Sequence, residues 1–249
     1  MRDAYFTYAH AAFWALVIAF YAVRVALRGA WRSERVAKIG GTALVGRGVM
    51  DMAYWVLDPI VKALVRLRIT PNQLTWSSLV LASVAAVAAA YGWFGLACLS
   101  LTWAMFFDIL DGQVARATGV GSMKGEVLDS AIDRYCEMIY FVGFALFVRD
   151  VAWQLVIVLA AAVASLMVSY AGVMADAMKV TVARGLMRRH ERALYLILGT
   201  GLVPLVGPAL HDRWDVPVIA TALAGCAIIG LLGNLAAVVK FVRIARALP

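Results

Sequence analysis

The sequence predicts an all-α protein, a polytopic bundle of membrane-spanning helices, and three observations predict it. Hydrophobic residues make up 64% of the 249 positions and charged residues only 15%. The mean hydropathy is +0.85, outside the range of a soluble domain with a large core. Apolar stretches of about 20 residues, the length that crosses a bilayer, recur along the chain between short polar segments.

The first apolar stretch, 5–27, reads as a retained span. It lacks a basic leading region, and the residues that follow offer no small-x-small cleavage site. Residues 28–47 are basic and glycine-containing and read as a linker. Residues 49–67 carry Asp51, Asp58, Lys62 and Arg66 and are too polar to span, so an amphipathic helix at the membrane interface is expected there. Thr70 is placed to cap the next helix, with Pro71 at its first position. Further spans follow near 74–94, 96–116, 126–148, 151–178, 192–210 and 216–240. The segment from Thr118 to Ser122, with Gly119 and Gly121, reads as a tight turn that folds one helix back beside the other.

Orientation follows from the basic residues. With the 28–47 linker inside and seven spans alternating, every lysine and arginine except Arg2, Arg149 and Arg213 falls at or near a cytoplasmic end. The N-terminus is then outside. The division expected is an N-terminal span and linker over 1–47, then a membrane domain over 48–249.

The composition also excludes function classes. Cys98, Cys136 and Cys226 lie far apart in apolar segments and read as packing thiols. His10, His190 and His211 are isolated, which argues against a histidine-based metal or nucleophile site. The net charge of +8 is spread over membrane ends rather than gathered in a compact basic domain, so no nucleic-acid partner is expected.

The chemistry lies in four aspartates set in an otherwise membrane-like stretch. Asp108 and Asp111 are spaced i, i+3, and Asp129 and Asp133 are spaced i, i+4, so each pair shares one helix face. The turn between them would bring all four into one small volume. Ionisable groups at such depth are functional by default. Clustered carboxylates repel one another unless cations hold them together, and hard oxygen ligands suit Mg²⁺ or Mn²⁺ with phosphate oxygens completing the shell.

The full pattern is Asp108-x2-Asp111-Gly112-x2-Ala115-Arg116-x8-Gly125-x3-Asp129-x3-Asp133. It resembles, at every fixed position, the signature of the CDP-alcohol phosphotransferase family, and the resemblance runs from about Thr70 to the C-terminus. It implies a core of six spans after an interfacial helix, with the span at 5–27 as an addition. It implies a phospholipid-synthesis enzyme that moves a phosphatidyl or related group from a CDP-linked donor to an alcohol and releases CMP. Two Mg²⁺ or Mn²⁺ ions would be held by Asp108, Asp111 and Asp129, with Asp133 as the base that also touches a metal. Gly112, Ala115 and Gly125 would let the cytidine nucleotide lie against the backbone. Arg116 and Asn72 would contact the nucleotide or its diphosphate. A homodimer in a bacterial or archaeal cytoplasmic membrane, with its active site facing the cytoplasm, is implied as well.

The acceptor stays open between glycerol 3-phosphate, inositol phosphate, serine and a second lipid alcohol. Arg184, Arg188, Arg189 and Arg192 could dock a phosphorylated acceptor, because guanidinium forks suit phosphate; they serve equally as topology anchors. The loop from Gly185 to Arg192 looks like that of bacterial phosphatidylinositol-phosphate synthases. Those enzymes carry a basic segment after a Ser-Tyr pair, whereas here Ser169-Tyr170 runs into Ala-Gly-Val-Met. Arg134 and Glu137 are expected to pair with each other. Two other classes compete: a UbiA-like prenyltransferase, which also uses acidic helices on Mg²⁺-diphosphate, and an ion-coupled transporter.

Overall fold

The structure, a computed structural model, describes residues 3–29, 31–32, 36, 46–181 and 185–248. Among these there are eight long helices and no strand: α1 (Ala4–Arg28), α2 (Arg47–Arg66), α3 (Pro71–Ala90), α4 (Phe94–Thr118), α5 (Met123–Val148), α6 (Ala152–Ala177), α7 (Arg189–Trp214) and α8 (Ala220–Ala247). Most of the 28–47 linker lies outside the described residues.

Six of the helices are long and apolar enough to cross a membrane: α1, α3, α4, α6, α7 and α8. Helix α5, read from the sequence as a seventh span, is 26 residues long but falls short on apolarity. Its first fifteen residues carry Lys124, Glu126, Asp129, Asp133, Arg134 and Glu137, and these charges lower its hydropathy while the rest is apolar. The protein is an integral membrane protein by these helices.

Small residues let the helices approach closely, as membrane packing requires. Ala85, Ala88 and Ala89 of α3, Ala97 of α4 and Ala161 of α6 are buried in the main core with Phe94, Tyr140 and Phe144. A Cβ on Gly143 of α5 would collide with the backbone of Ala86 on α3, so only glycine permits that contact. Large apolar side chains such as Leu159, Val163 and Leu166 point outward, which suits a lipid surround.

Helix α2 behaves as an interfacial element. Leu57 and Val61 pack under Leu74, Leu110 and Val114, while Asp58 and Lys62 pair on its exposed side at 2.6 Å. The α3 start forms as expected. Thr70 Oγ1 accepts from Gln73 N, Gln73 Oε1 accepts from Thr70 N, and Pro71 takes the first helical position. The turn after α4 uses Gly119 at φ 69°, a left-handed conformation that glycine adopts without strain. Ser122 then caps α5 by accepting from Gly125 N at 3.1 Å.

Helix α1 runs parallel to α4 and is fastened to it. The buried Asp3 carboxylate accepts from Gly95 N at 2.7 Å and Leu96 N at 3.3 Å, and Trp14 stacks on Phe106 with centroids 5.0 Å apart. Farther along, Tyr21 and Arg24 pack on Trp55 of α2.

Candidate active site

The site gathers at one end of the bundle, where α4 ends, α5 begins, and α3 and α7 start. Asp108, Asp111 and Asp129 each present an oxygen within 4.8 Å of the other two. The hairpin of α4 and α5 thus brings three of the four predicted acids into one cluster. Asp133 lies one turn along α5 from Asp129 and joins through a guanidinium: Arg189 Nη1 stands 2.6 Å from Asp108 Oδ2 and 2.6 Å from Asp133 Oδ2. Asp111 is buried and accepts from Thr75 Oγ1 at 2.6 Å.

The charge balance of the cluster is uneven. One arginine bridges two of four carboxylates, and Asp129 Oδ1 and Asp133 Oδ1 are buried with no hydrogen-bond partner among the described residues. Buried carboxylate oxygens without partners are costly. An all-carboxylate donor set with unused oxygens fits a hard divalent cation.

The residues expected at the nucleotide fall around this cluster. Asn72, exposed at the start of α3, places its Oδ1 3.9 Å from where a Cβ on Gly125 would stand. Arg116 folds back over Gly112, its Nη1 3.1 Å from the position of a Cβ there. Ala115 is half-buried one turn beyond Asp111. Asn72 and Arg116 thus stand over the small residues Gly125 and Gly112 beside the acids.

Beneath the acids lies a cavity of about 210 Å³, lined at its polar end by Asp108, Asp133, Glu137, Arg189 and His190 and deeper by Leu101, Tyr140 and Ile197. It reaches the bundle interior between α3, α4, α5 and α7.

Of the four arginines grouped as acceptor ligands, the three described ones meet different partners. Arg184 lies outside the described residues. Arg189 is committed to Asp108 and Asp133. Arg192 is 1% exposed and grips Glu137 through Nε–Oε1 at 2.7 Å and Nη2–Oε2 at 2.8 Å. That geometry corrects the expected Arg134–Glu137 pair: Arg134 turns back to the Ser130 carbonyl instead, because Glu137 faces α7. Arg188, half-buried, is the N-cap residue just before α7, with its backbone N–H donating to Glu191 Oε2 at 3.1 Å.

Two residues were missed from the sequence. Thr75 holds Asp111, and it lies one turn after Asn72 on α3. Lys240 of α8 reaches across to Gly172 of α6, its Nζ 3.9 Å from where a Cβ would stand, and its Cε lies 3.7 Å from the same point on Gly185. Among the described residues it makes no ion pair within 4.0 Å, and its charged surroundings are Arg188, Arg192 and Asp176. In sequence, Lys240 is indistinguishable from a topology anchor.

Residues 68–237 match the family described as CDP-alcohol phosphatidyltransferase. The chain belongs to the CDP-alcohol phosphatidyltransferase family. That makes it an enzyme, a membrane-bound transferase of phospholipid synthesis, and removes the prenyltransferase and transporter readings. The chain is 29% identical over 197 residues to a phosphatidylinositol phosphate synthase of Cutibacterium acnes, covering 77% of this chain and 93% of that one. It is 36% identical over 149 residues to an archaetidylinositol phosphate synthase of Pyrococcus horikoshii, covering 58% of this chain and 76% of that one. The fold is similar to that of the Mycobacterium tuberculosis phosphatidylinositol phosphate synthase solved with CDP-DAG bound. The TM-score is 0.64 at 23% identity, covering 75% of this chain and 92% of that one. The same enzyme solved with manganese and citrate gives a TM-score of 0.64 at 23% identity, covering 75% of this chain and 88% of that one. Asn72 and the whole acidic pattern of this phosphatidyltransferase lie inside the matched region, whereas α1, α2 and Lys240 lie outside it.

Proposed function

We propose that this phosphatidyltransferase moves the phosphatidyl group of CDP-diacylglycerol onto a hydroxyl of inositol phosphate, releasing CMP. Asp108, Asp111 and Asp129 would hold Mg²⁺ or Mn²⁺, with Asp133 touching one of two ions. When bound, such ions neutralise the diphosphate and polarise its phosphorus. Gly112, Ala115 and Gly125 let the cytidine nucleotide lie against the backbone, with Asn72 and Arg116 beside it. Asp133 accepts the proton of the acceptor hydroxyl, whose oxygen forms a bond to phosphorus as the phosphorus–oxygen bond to CMP breaks. The carboxylates otherwise position and stabilise charge, which is most of what phosphoryl transfer demands.

The observation that carries the acceptor assignment is the placement of Lys240. Its ammonium lies beside Gly172, the point in the chain where similar synthases carry a basic segment, and Arg188 supplies a second cation. Cations from α8 and the start of α7 thus replace those absent after Ser169-Tyr170. Relatives named for an inositol phosphate product support the same acceptor. The proposal includes a cytoplasmic active site, an appended 1–47 segment on a 48–249 transferase unit, and a homodimer.

The test is CMP release from CDP-diacylglycerol with inositol 1-phosphate, inositol, glycerol 3-phosphate or serine offered separately. Turnover is expected with inositol 1-phosphate and not with unphosphorylated inositol. Lys240→Ala and Arg188→Ala should each raise the acceptor KM by roughly ten- to hundred-fold, the worth of a hydrogen bond to a charged group. Donor KM should hold. Turnover with serine alone would overturn the assignment.

A further inference from the structure

The two arginines of α7 stand against α5 as a two-rung ladder. Asp133 and Glu137 are one turn apart on α5, and Arg189 and Arg192 are one turn apart on α7. Arg189 meets Asp133 at 2.6 Å, and Arg192 meets Glu137 in a bidentate fork at 2.7 and 2.8 Å. The second rung is enclosed, with side-chain exposures of 1% for Arg192 and 11% for Glu137.

Arg192 spends its remaining donors elsewhere. Nη1 donates to the Met187 carbonyl at 2.7 Å, and Nη2 also donates to Ser169 Oγ on α6 at 3.1 Å. Met187 is buried and left-handed at φ 61°, a costly conformation for a residue with a long side chain. One guanidinium therefore ties α5, α6, α7 and the segment that leads into α7. Arg188 follows Met187 directly, and Lys240 crosses the same segment at Gly185.

We propose that Glu137 and Arg192 are a positioning pair that fixes the distance between the base and the acceptor's phosphate site. The inference rests on the reading that the acceptor spans from Asp133 to Arg188 and Lys240. An acceptor gripped at both ends reacts only if the two ends are held in register, and a misplacement of about 1 Å can cost 10²-fold in rate. The pair links Asp133, one turn from Glu137, to Arg188, one residue from the carbonyl that Arg192 holds. A planar fork with fixed donors suits that task, because it has little freedom to shift. Stability alone does not require it: apolar residues of similar volume often replace a buried ion pair without loss. Neither residue is among the three ligands Asp108, Asp111 and Asp129, so donor and metal binding depend on the pair far less than the acceptor does.

The experiment uses the full chain in nanodiscs with CDP-diacylglycerol and inositol 1-phosphate. Three variants are compared with wild type: Glu137→Gln, Arg192→Lys, and the double apolar variant Glu137→Leu/Arg192→Met. Acceptor KM, donor KM, kcat and direct Mn²⁺ binding are measured, with thermal unfolding as the check on folding. The expected result is a loss of at least thirty-fold in acceptor kcat/KM in every variant that folds, with donor KM and Mn²⁺ affinity within two-fold of wild type. The double apolar variant is expected to unfold near the wild-type temperature and still to show that loss. If it retains acceptor kcat/KM within three-fold, the pair only holds helices together and the proposal falls. Equal losses in donor KM and Mn²⁺ affinity also overturn it, because the pair would then shape the whole site. Failure of the underlying reading looks different: wild type would turn over an unphosphorylated alcohol, and the same variants would then be judged on that alcohol.

Discussion

Asp3 and Asp129 both turn carboxylate oxygens into the helix bundle, and those oxygens meet opposite circumstances. Asp3 sits at the start of α4 and accepts two of its free backbone N–H groups, from Gly95 and Leu96. The helix dipole favours a negative charge there. Asp129 sits in a cluster of like charges, and its Oδ1 is buried with no partner among the described residues. The first carboxylate completes a structure. The second has no such partner, which suits the metal-ligand role proposed for it. Burial of an acid in a membrane protein thus says little until its oxygens are accounted for one by one.

The strongest way to break this contrast is to neutralise the cluster. Asp108→Asn, Asp111→Asn and Asp129→Asn should each lower CMP release by about 100-fold or more, since metal polarisation supplies several kcal/mol. Unfolding temperature should hold or rise, because repulsion falls. Residual activity within about three-fold of wild type in any one of them would remove that residue from the metal set.

Asp133 sharpens the contrast inside the cluster. As the base, Asp133→Asn should depress turnover by about 10²–10⁴-fold while donor affinity changes far less. Donor affinity by calorimetry beside single-turnover CMP release makes the comparison. Parallel losses in both would make Asp133 chiefly a metal ligand.

Asp3→Ala should act in the reverse sense. Losing the cap costs about 1–2 kcal/mol, read as a lower unfolding temperature, while turnover per folded molecule stays within two-fold. A drop in turnover with unchanged stability would place α1 in the chemistry. The smallest effect on catalysis is expected from removing residues 1–40. That protein should lose stability, through the vacated faces of Phe106 and Trp55, and still release CMP when folded. A folded truncation with no CMP release would show that α1 completes the substrate site.

Much of the site was legible because it is local. Asp108, Asp111, Asp129 and Asp133 fall at helical spacing around a glycine turn, so the chain itself folds them together. Thr70, Pro71 and Ser122 announce helix starts through short-range hydrogen bonds. The shortfall of α5 as a span was not drawn from the same residues. Its acids lower the apolarity that marks a span, although its length and packing match its neighbours.

The partners across helices were not legible. Glu137 has Arg134 nearby in sequence and Arg192 far away, yet it pairs with Arg192. The reason is geometric: which face of α5 meets α7 depends on the packing of small residues such as Gly143 and Ala86 on α3. Lys240 and Asp3 carry no local pattern, and each has its place only because α8 packs on α6 and α1 on α4. The sequence by itself determined the helices, their punctuation and the acidic hairpin, all of which are set by spacings of a few residues along one chain. The tertiary structure alone decided which cations face those acids and which charges are spent on structure, since that depends on helix rotations fixed by contacts far apart in sequence.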